Sequence, residues 1–151
     1  MSNNSLYHTD FAAWAFQQAA LLKDKKFDQV DWDDIIEEIE SMGRAEHRDL
    51  MSRMQILITH LLKWQFQPER RGSSWTSSIR EQRRKIEDAC DDMPSLKGDL
   101  SNAEWLMKVW FRAVRDAVSE TNLPKNTFPQ SPIWAVEQIL DDDFYPTLED
   151  K

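Results

Sequence analysis

The sequence predicts an all-α protein, a compact bundle of five to six helices with the third at its centre. Three observations carry that expectation. Apolar residues recur at spacings of three and four along most of the 151 residues, the signature of helices with one buried face. No stretch alternates with period two over the length of a strand. The few glycines and prolines, 3 and 6, fall between the periodic segments, where they end helices. A chain of this length is expected to form one domain, 1–151, long enough to bury a full core without disulfide or metal staples. Residues 1–8 read as an N-terminal tail and residues 122–132 as a proline-rich loop.

The first helix is expected from about Asp10 to Asp24, with Phe11, Trp14, Ala15, Gln18, Ala19 and Leu22 on one face and Gln18 its one polar intruder. Asp31 reads as the N-cap of a second helix, with Asp33 and Asp34 in the first turn, where the helix dipole favours negative charge. Val30 and Ile35 have the spacing of a hydrophobic staple. Trp32, Ile35, Ile36, Ile39 and Met42 would be its buried face, and Gly43 a left-handed stop.

A third helix, about Arg44 to Gln65, places Leu50, Met54, Leu57, Ile58, Leu61 and Leu62 on one face and Ile56, His60 and Trp64 on a flanking stripe. Being apolar on more than one side, it is expected at the centre. The Gln67-Pro68 pair ends it. Ser73 or Ser74 would cap a fourth helix, running from Trp75 through Ile79, Ile86 and Cys90 to Pro94. Ser101 and Glu104 have capping-box spacing ahead of Leu106, Val109, Trp110, Ala113, Val114, Ala117 and Val118. Ser131 and Pro132 would open a last short helix ending near Leu140. Trp14, Trp32, Trp110 and Trp105 are assigned to the core, because a large aromatic on an apolar stripe is costly to truncate, about 3–5 kcal/mol when buried.

Composition narrows the function classes. The single Cys90 can form no internal bridge and reads as a small core residue. The polar N-terminus lacks the pattern of a signal peptide, and no apolar run reaches the roughly 20 residues of a bilayer span. A soluble, cytoplasmic protein with no membrane association is expected. The formal net charge of −8 repels nucleic acid unless a local basic patch overrides it.

Such a patch is present in the sequence. Residues 28–49 are acidic, whereas the stretch HLLKWQFQPERRGSSW and the residues after it carry Lys63, Arg70, Arg71, Arg80, Arg83, Arg84 and Lys85 among Trp64, Phe66 and Trp75. On one reading, Lys63, Trp64, Arg70, Arg71, Trp75, Arg80 and Arg84 form a binding surface, with aromatics to stack on bases and arginines to meet phosphates. On the other, Glu38 and Glu40 meet those arginines across a helix contact, and Arg83 with Glu87 and Arg84 with Asp88 pair along the fourth helix. The second reading makes the stretch a seam of the fold.

Catalytic patterns are sparse. His47 and His60 are separated by about 20 Å of helical rise and cannot share an ion. No histidine has a partner at metal-ligand spacing, and Glu37, Glu38 and Glu40 splay around one turn, so neither a metal site nor a cofactor is expected. Arg53 and His60 are two turns apart on one helix, within roughly 20° of each other. This resembles the Arg-x(4–6)-His motif of HEPN-type metal-independent ribonucleases. The resemblance would make His60 a general acid or base and Arg53 a stabiliser of phosphate charge.

Several segments together, DFAAWAFQQAALL, FDQVDWDDIIEEIESMG, HLLKWQFQPERRGSSW, IREQRRKI, MPSLK and the closing DDDFYP, resemble the bacterial domain of unknown function family numbered 29 (DUF29), best known from cyanobacteria. The likeness covers about Tyr7 to Pro146. It implies an almost wholly helical domain standing alone as a small protein, and carries over no catalytic residue; Gly72 stands where a bulkier polar or basic residue would be expected. The leading expectation is a non-enzymatic interaction module for a protein or RNA partner. The alternatives are the ribonuclease using Arg53 and His60, and a structural homo-oligomeric subunit.

Overall fold

A computed structural model describes residues 4–150, and among them every regular element is helical: α1 (Asn4–Thr9), α2 (Phe11–Lys23), α3 (Trp32–Phe66), α4 (Ser73–Asp92), α5 (Lys97–Leu100), α6 (Ala103–Thr121) and α7 (Val136–Leu140), joined by short 3-10 turns. The chain comprises two compact units, Met1–Glu46 and His47–Lys151. Of the expected N-terminal tail, residues 1–3 lie outside the described residues, and Asn4 onward forms α1. None of the described helices is long and apolar enough to cross a membrane.

In the first unit, Asp10 caps α2 by accepting from the Ala13 N–H at 3.0 Å. Trp14 and Gln18 are the buried residues of α2, and both turn to the residue that precedes α3. Trp14 Nε1 and Gln18 Nε2 donate to Asp31 Oδ2 at 3.0 and 3.3 Å, while Gln18 Oε1 accepts from the Asp31 N–H at 2.8 Å. The polar residue in the stripe is thus the one that fastens the helix, and Val30 is buried beside it. Tyr7 packs its ring at a tilt against Trp14, with centroids 4.6 Å apart, and donates its hydroxyl to Glu38. That carboxylate, with some burial and with Asp34 and Glu37 nearby, raises the phenol pKa to about 12.

Several expectations fail in this unit. The second and third helices are one helix of 35 residues. Gly43 is no stop, because it lies in open space with nothing within 4 Å of a hypothetical Cβ and takes no positive φ. A lone glycine costs a helix only about 1 kcal/mol relative to alanine, and no proline follows to enforce a break. The supposed buried face is exposed: Trp32, Ile36, Ile39 and Met42 are 47%, 49%, 62% and 67% accessible. Trp32 is therefore not a core residue; its indole donates to the Phe27 carbonyl at 2.9 Å. Phe11 and Leu22 of α2 are likewise exposed.

In the second unit, the stripe Leu50, Met54, Leu57, Ile58, Leu61 and Leu62 is fully buried, as the periodicity requires. Each such side chain contributes about 1.5–3 kcal/mol through removal from water. They share one core with Ile79, Ile86 and Cys90 of α4 and with Val109, Trp110, Ala113, Val114 and Ala117 of α6. Trp105 packs against that core from its margin. Caps differ by a residue or two from the sequence reading. Gly72, in extended conformation, precedes α4 in place of a serine. Asn102, the residue directly before α6, caps it by accepting from the Glu104 and Trp105 N–H groups, while Ser101 donates back to the Lys97 carbonyl. Helix α7 starts at Val136, four residues beyond Pro132, after irregular backbone from Ser131 to Ala135.

The proline-rich loop and the C-terminal segment complete this core. Asn122 takes the left-handed conformation that ends α6. Trp110 donates to the Pro129 carbonyl at 2.8 Å and meets Trp134 edge-on, and Trp134 in turn meets Phe144. Arg83, only 2% accessible, sits under the chain that leaves α7. Its Nε, Nη1 and Nη2 donate to the carbonyls of Ile139, Asp142 and Phe144 at 2.9, 3.4 and 2.7 Å, and its guanidinium lies 5.4 Å from the Tyr145 ring centre. The expected i,i+4 pairing of Arg83 with Glu87 gives way to this arrangement, in which the buried guanidinium serves the last turn of α7 and the backbone that leaves it. Arg83→Lys replaces a planar fork by a point charge and leaves carbonyls without donors. We expect it to cost about 2–4 kcal/mol in urea unfolding, against about 0.5 kcal/mol or less for Arg80→Lys at an exposed position of the same helix. Equal losses from the two would contradict the anchoring role.

Candidate functional site

The basic and aromatic stretch separates, residue by residue, into side chains committed to the fold and side chains that face solvent. Lys63 is 8% accessible. Its ammonium pairs with Glu120 at 2.9 Å and lies 5.0 Å from the Trp75 ring centre. Trp64 is half-buried, its ring tilted against that of Tyr145 with centroids 4.9 Å apart. Arg71 donates Nε to the Trp64 carbonyl at 2.7 Å and covers the indole face at 5.3 Å. These contacts follow from how α3 ends. Gln67 leaves helical geometry, Pro68–Arg70 make one 3-10 turn, and Arg71 folds back over the last turn of α3, where cations meet the negative end of the helix dipole. Lys63, Trp64, Arg71 and Trp75 therefore hold α3 to its neighbours in the second unit.

Glu38 and Glu40 were the carboxylates assigned to this seam. Glu38 accepts from Tyr7 within its own unit, and Glu40 is exposed, with no ion pair among the described residues. The carboxylate that engages the stretch is Glu120 of α6. Along α4 the pair formed is Glu81 with Lys85 at 3.0 Å, which lowers the Glu81 pKa.

Arg70, Arg80 and Arg84 remain exposed. Arg80 and Arg84, one turn apart on α4, line an open groove of about 760 Å³ together with Ser77, Glu81, Glu87, Asp142 and Asp143. The far wall is placed by Arg83: its bond to the Asp142 carbonyl and the bond from the Asp143 N–H to Asp141 Oδ1, 2.9 Å, set the turn that carries both aspartates. The groove thus opposes two guanidinium groups to four carboxylates, one of them already paired with Lys85. Such a lining matches a partner that carries both signs and opposes a polyanion. Asp142 and Asp143 were not anticipated as site residues. The run Asp141-Asp142-Asp143 was the available signal, but only the tertiary path of the chain brings it beside Arg80 and Arg84.

The Arg53 and His60 pair has a different environment. Arg53 Nε donates to Asp49 Oδ2 at 3.0 Å, an i,i+4 pair on α3. His60 is half-buried and its Nδ1 lies 2.9 Å from the Ile56 carbonyl, so that nitrogen carries the proton and donates. Burial lowers the His60 pKa below its usual value, the Ile56 carbonyl opposes that shift, and Lys63 adds to it. That direction favours the neutral imidazole. His47 pairs with Asp99 at 2.6 Å, and no cluster of three potential metal ligands occurs among the described residues. Cys90 is buried, with its thiol pKa pushed up by that burial, in keeping with a packing role.

Comparison with known proteins returns one family. No curated protein and no solved structure matches the chain. The family model described as domain of unknown function DUF29 matches residues 6–145, nearly the whole sequence and every helix from α2 to α7. The chain belongs to the DUF29 family.

Proposed function

We propose that the protein is a non-enzymatic interaction module whose second unit receives a segment of a protein partner along the Arg80–Arg84 groove. The observation that supports this reading is the contrast within one basic stretch. Lys63, Trp64, Arg71 and Arg83 are consumed by internal contacts, whereas Arg80 and Arg84 stand exposed over an open cleft faced by Asp142 and Asp143. A peptide bearing acidic groups for the arginines and basic groups for the aspartates pairs with both walls. RNA would bring its phosphates against four carboxylates in a protein of net charge −8, which like-charge repulsion opposes. Rim charges of this kind set partner choice and association rate more than affinity.

A second reading, a metal-independent ribonuclease using Arg53 and His60, is favoured by the neutral imidazole, which is the form a general base requires. It stands behind the first because the Arg53 guanidinium is engaged by Asp49. RNA cleavage in chelator that His60→Ala abolishes would support it; cleavage unaffected by that change would remove it.

Two outcomes are expected. Arg80→Glu with Arg84→Glu should abolish recovery of a partner protein from cells, leaving helicity unchanged because both residues are exposed, and recovery by the unaltered protein should survive ribonuclease treatment. Undiminished recovery by the double variant, or loss of the partner on ribonuclease treatment, would contradict the proposal. The second outcome concerns pH. A folded-state pKa below the unfolded value of 6.5 for His60 means the unfolded chain binds more protons in that interval. The stability linked to neutral His60 is present above 6.5 and lost as pH falls through the lowered folded value. Urea unfolding at pH 7.5 and 5.5 should therefore show the unaltered protein losing stability relative to His60→Gln on acidification; a constant difference would refute the shift.

A further inference from the structure

The first unit carries an apolar surface that its own helices leave uncovered. Trp32, Ile36 and Ile39 recur on α3 at spacings of four and three, so they share one helical face, and Met42 lies at its edge. All four are exposed, Met42 the most at 67%. The residues packed by α1 and α2 are others: Asp31 is taken by Trp14 and Gln18, and Glu38 by Tyr7. The pattern of Trp32, Ile36 and Ile39 repeats eighteen residues later as Leu50, Met54 and Leu57, which are buried. One spacing is thus written twice, once with its side chains buried and once with them exposed.

Charge identifies the cover. Residues 1–46 contain ten carboxylate side chains and four lysines or arginines, so six of the eight excess negative charges of the protein belong to this unit. Along α3, Asp33, Glu37 and Glu40 follow one another at spacings of four and three, beside the apolar face, and all are exposed. Arg44, paired with Glu37 at 2.8 Å, is the one cation of this part of the helix. A second copy of the same face would bring acidic rim against acidic rim, which like-charge repulsion opposes.

We infer that the Trp32–Ile36–Ile39–Met42 face is a docking site for a basic amphipathic helix of a partner protein. Leucine-like side chains spaced three and four apart would cover Trp32, Ile36 and Ile39, and lysines or arginines flanking them would meet Asp33 and Glu40. The face is about 15 Å long at 1.5 Å per residue, so some three turns of partner helix span it, the groove-and-helix mode of recognition. This face shares no residue with the Arg80–Arg84 groove and does not depend on the reading of that groove.

The test uses two synthetic helical peptides of about 14 residues, one of leucine and lysine and one of leucine and glutamate in the same pattern, each fluorescently labelled and titrated with the full chain by anisotropy. The lysine peptide should bind at least tenfold more tightly than the glutamate peptide. Ile36→Ser with Ile39→Ser, which changes no charge and touches only exposed positions, should weaken its binding tenfold or more at unchanged helicity. Asp33→Lys with Glu40→Lys should weaken the lysine peptide and strengthen the glutamate peptide. No binding of the lysine peptide, equal binding of the two peptides, or binding indifferent to the isoleucine changes would overturn the inference. So would concentration-dependent dimerisation in sedimentation that the isoleucine changes abolish, since the face would then belong to a second copy.

Discussion

The arrangement of the second unit depends on one buried cation. A guanidinium removed from water is costly unless its donors are met. Arg83 meets this requirement with three main-chain carbonyls, that of Ile139 in the last turn of α7, where helix carbonyls lack intrahelical donors, and those of Asp142 and Phe144 in the irregular backbone after it. The exchange is mutual, because the cation and the carbonyls each remove the other's desolvation penalty. Arginine fits and lysine does not, since the three acceptors are reached by three different nitrogens of one planar fork. Burial lowers the guanidinium pKa, and Tyr145 with Asp141, Asp142 and Asp143 opposes that shift.

From that fastening the rest of the unit's surface follows. With residues 139–145 held over α4, Tyr145 is in place to pack against Trp64, and Trp64 to receive Arg71. Gln65, fully buried, donates to the Thr147 carbonyl at 2.7 Å and extends the same seam. Asp142 and Asp143 are carried to the rim, where they face Arg80 and Arg84. The basic stretch is therefore a seam along much of its length and an open surface at two arginines. Its closure comes from carbonyls, ring faces and Glu120, while the acidic excess of the chain collects in residues 1–46.

Periodicity was a good guide wherever the chain supplies its own cover. The stripes of Leu50 to Leu62 and of Val109 to Ala117 are buried position by position, and the tail of free cysteine toward burial held for Cys90. The same reasoning placed Trp32, Ile36 and Ile39 inside, and there it failed, because an amphipathic pattern reports which face is apolar and nothing about what lies against it. Gly43 misled for a related reason: a single helix-weakening residue ends a helix only when its neighbours also favour leaving. Of the site, Arg80 and Arg84 were legible as charges on one helix. The division between them and Arg83 was not, since three arginines within five residues look alike until the returning chain covers one of them.

Guanidine-selective modification with phenylglyoxal, followed by peptide mass mapping in the native and the urea-unfolded protein, tests that division most directly. Arg70, Arg80 and Arg84 should react in the native protein at rates close to those in the unfolded chain, whereas Arg83 should be protected at least a hundredfold and become reactive only on unfolding. Native reactivity of Arg83 equal to that of Arg84 would mean that the cation is not enclosed by the C-terminal carbonyls, and the division of the basic stretch into seam and surface would fall with it.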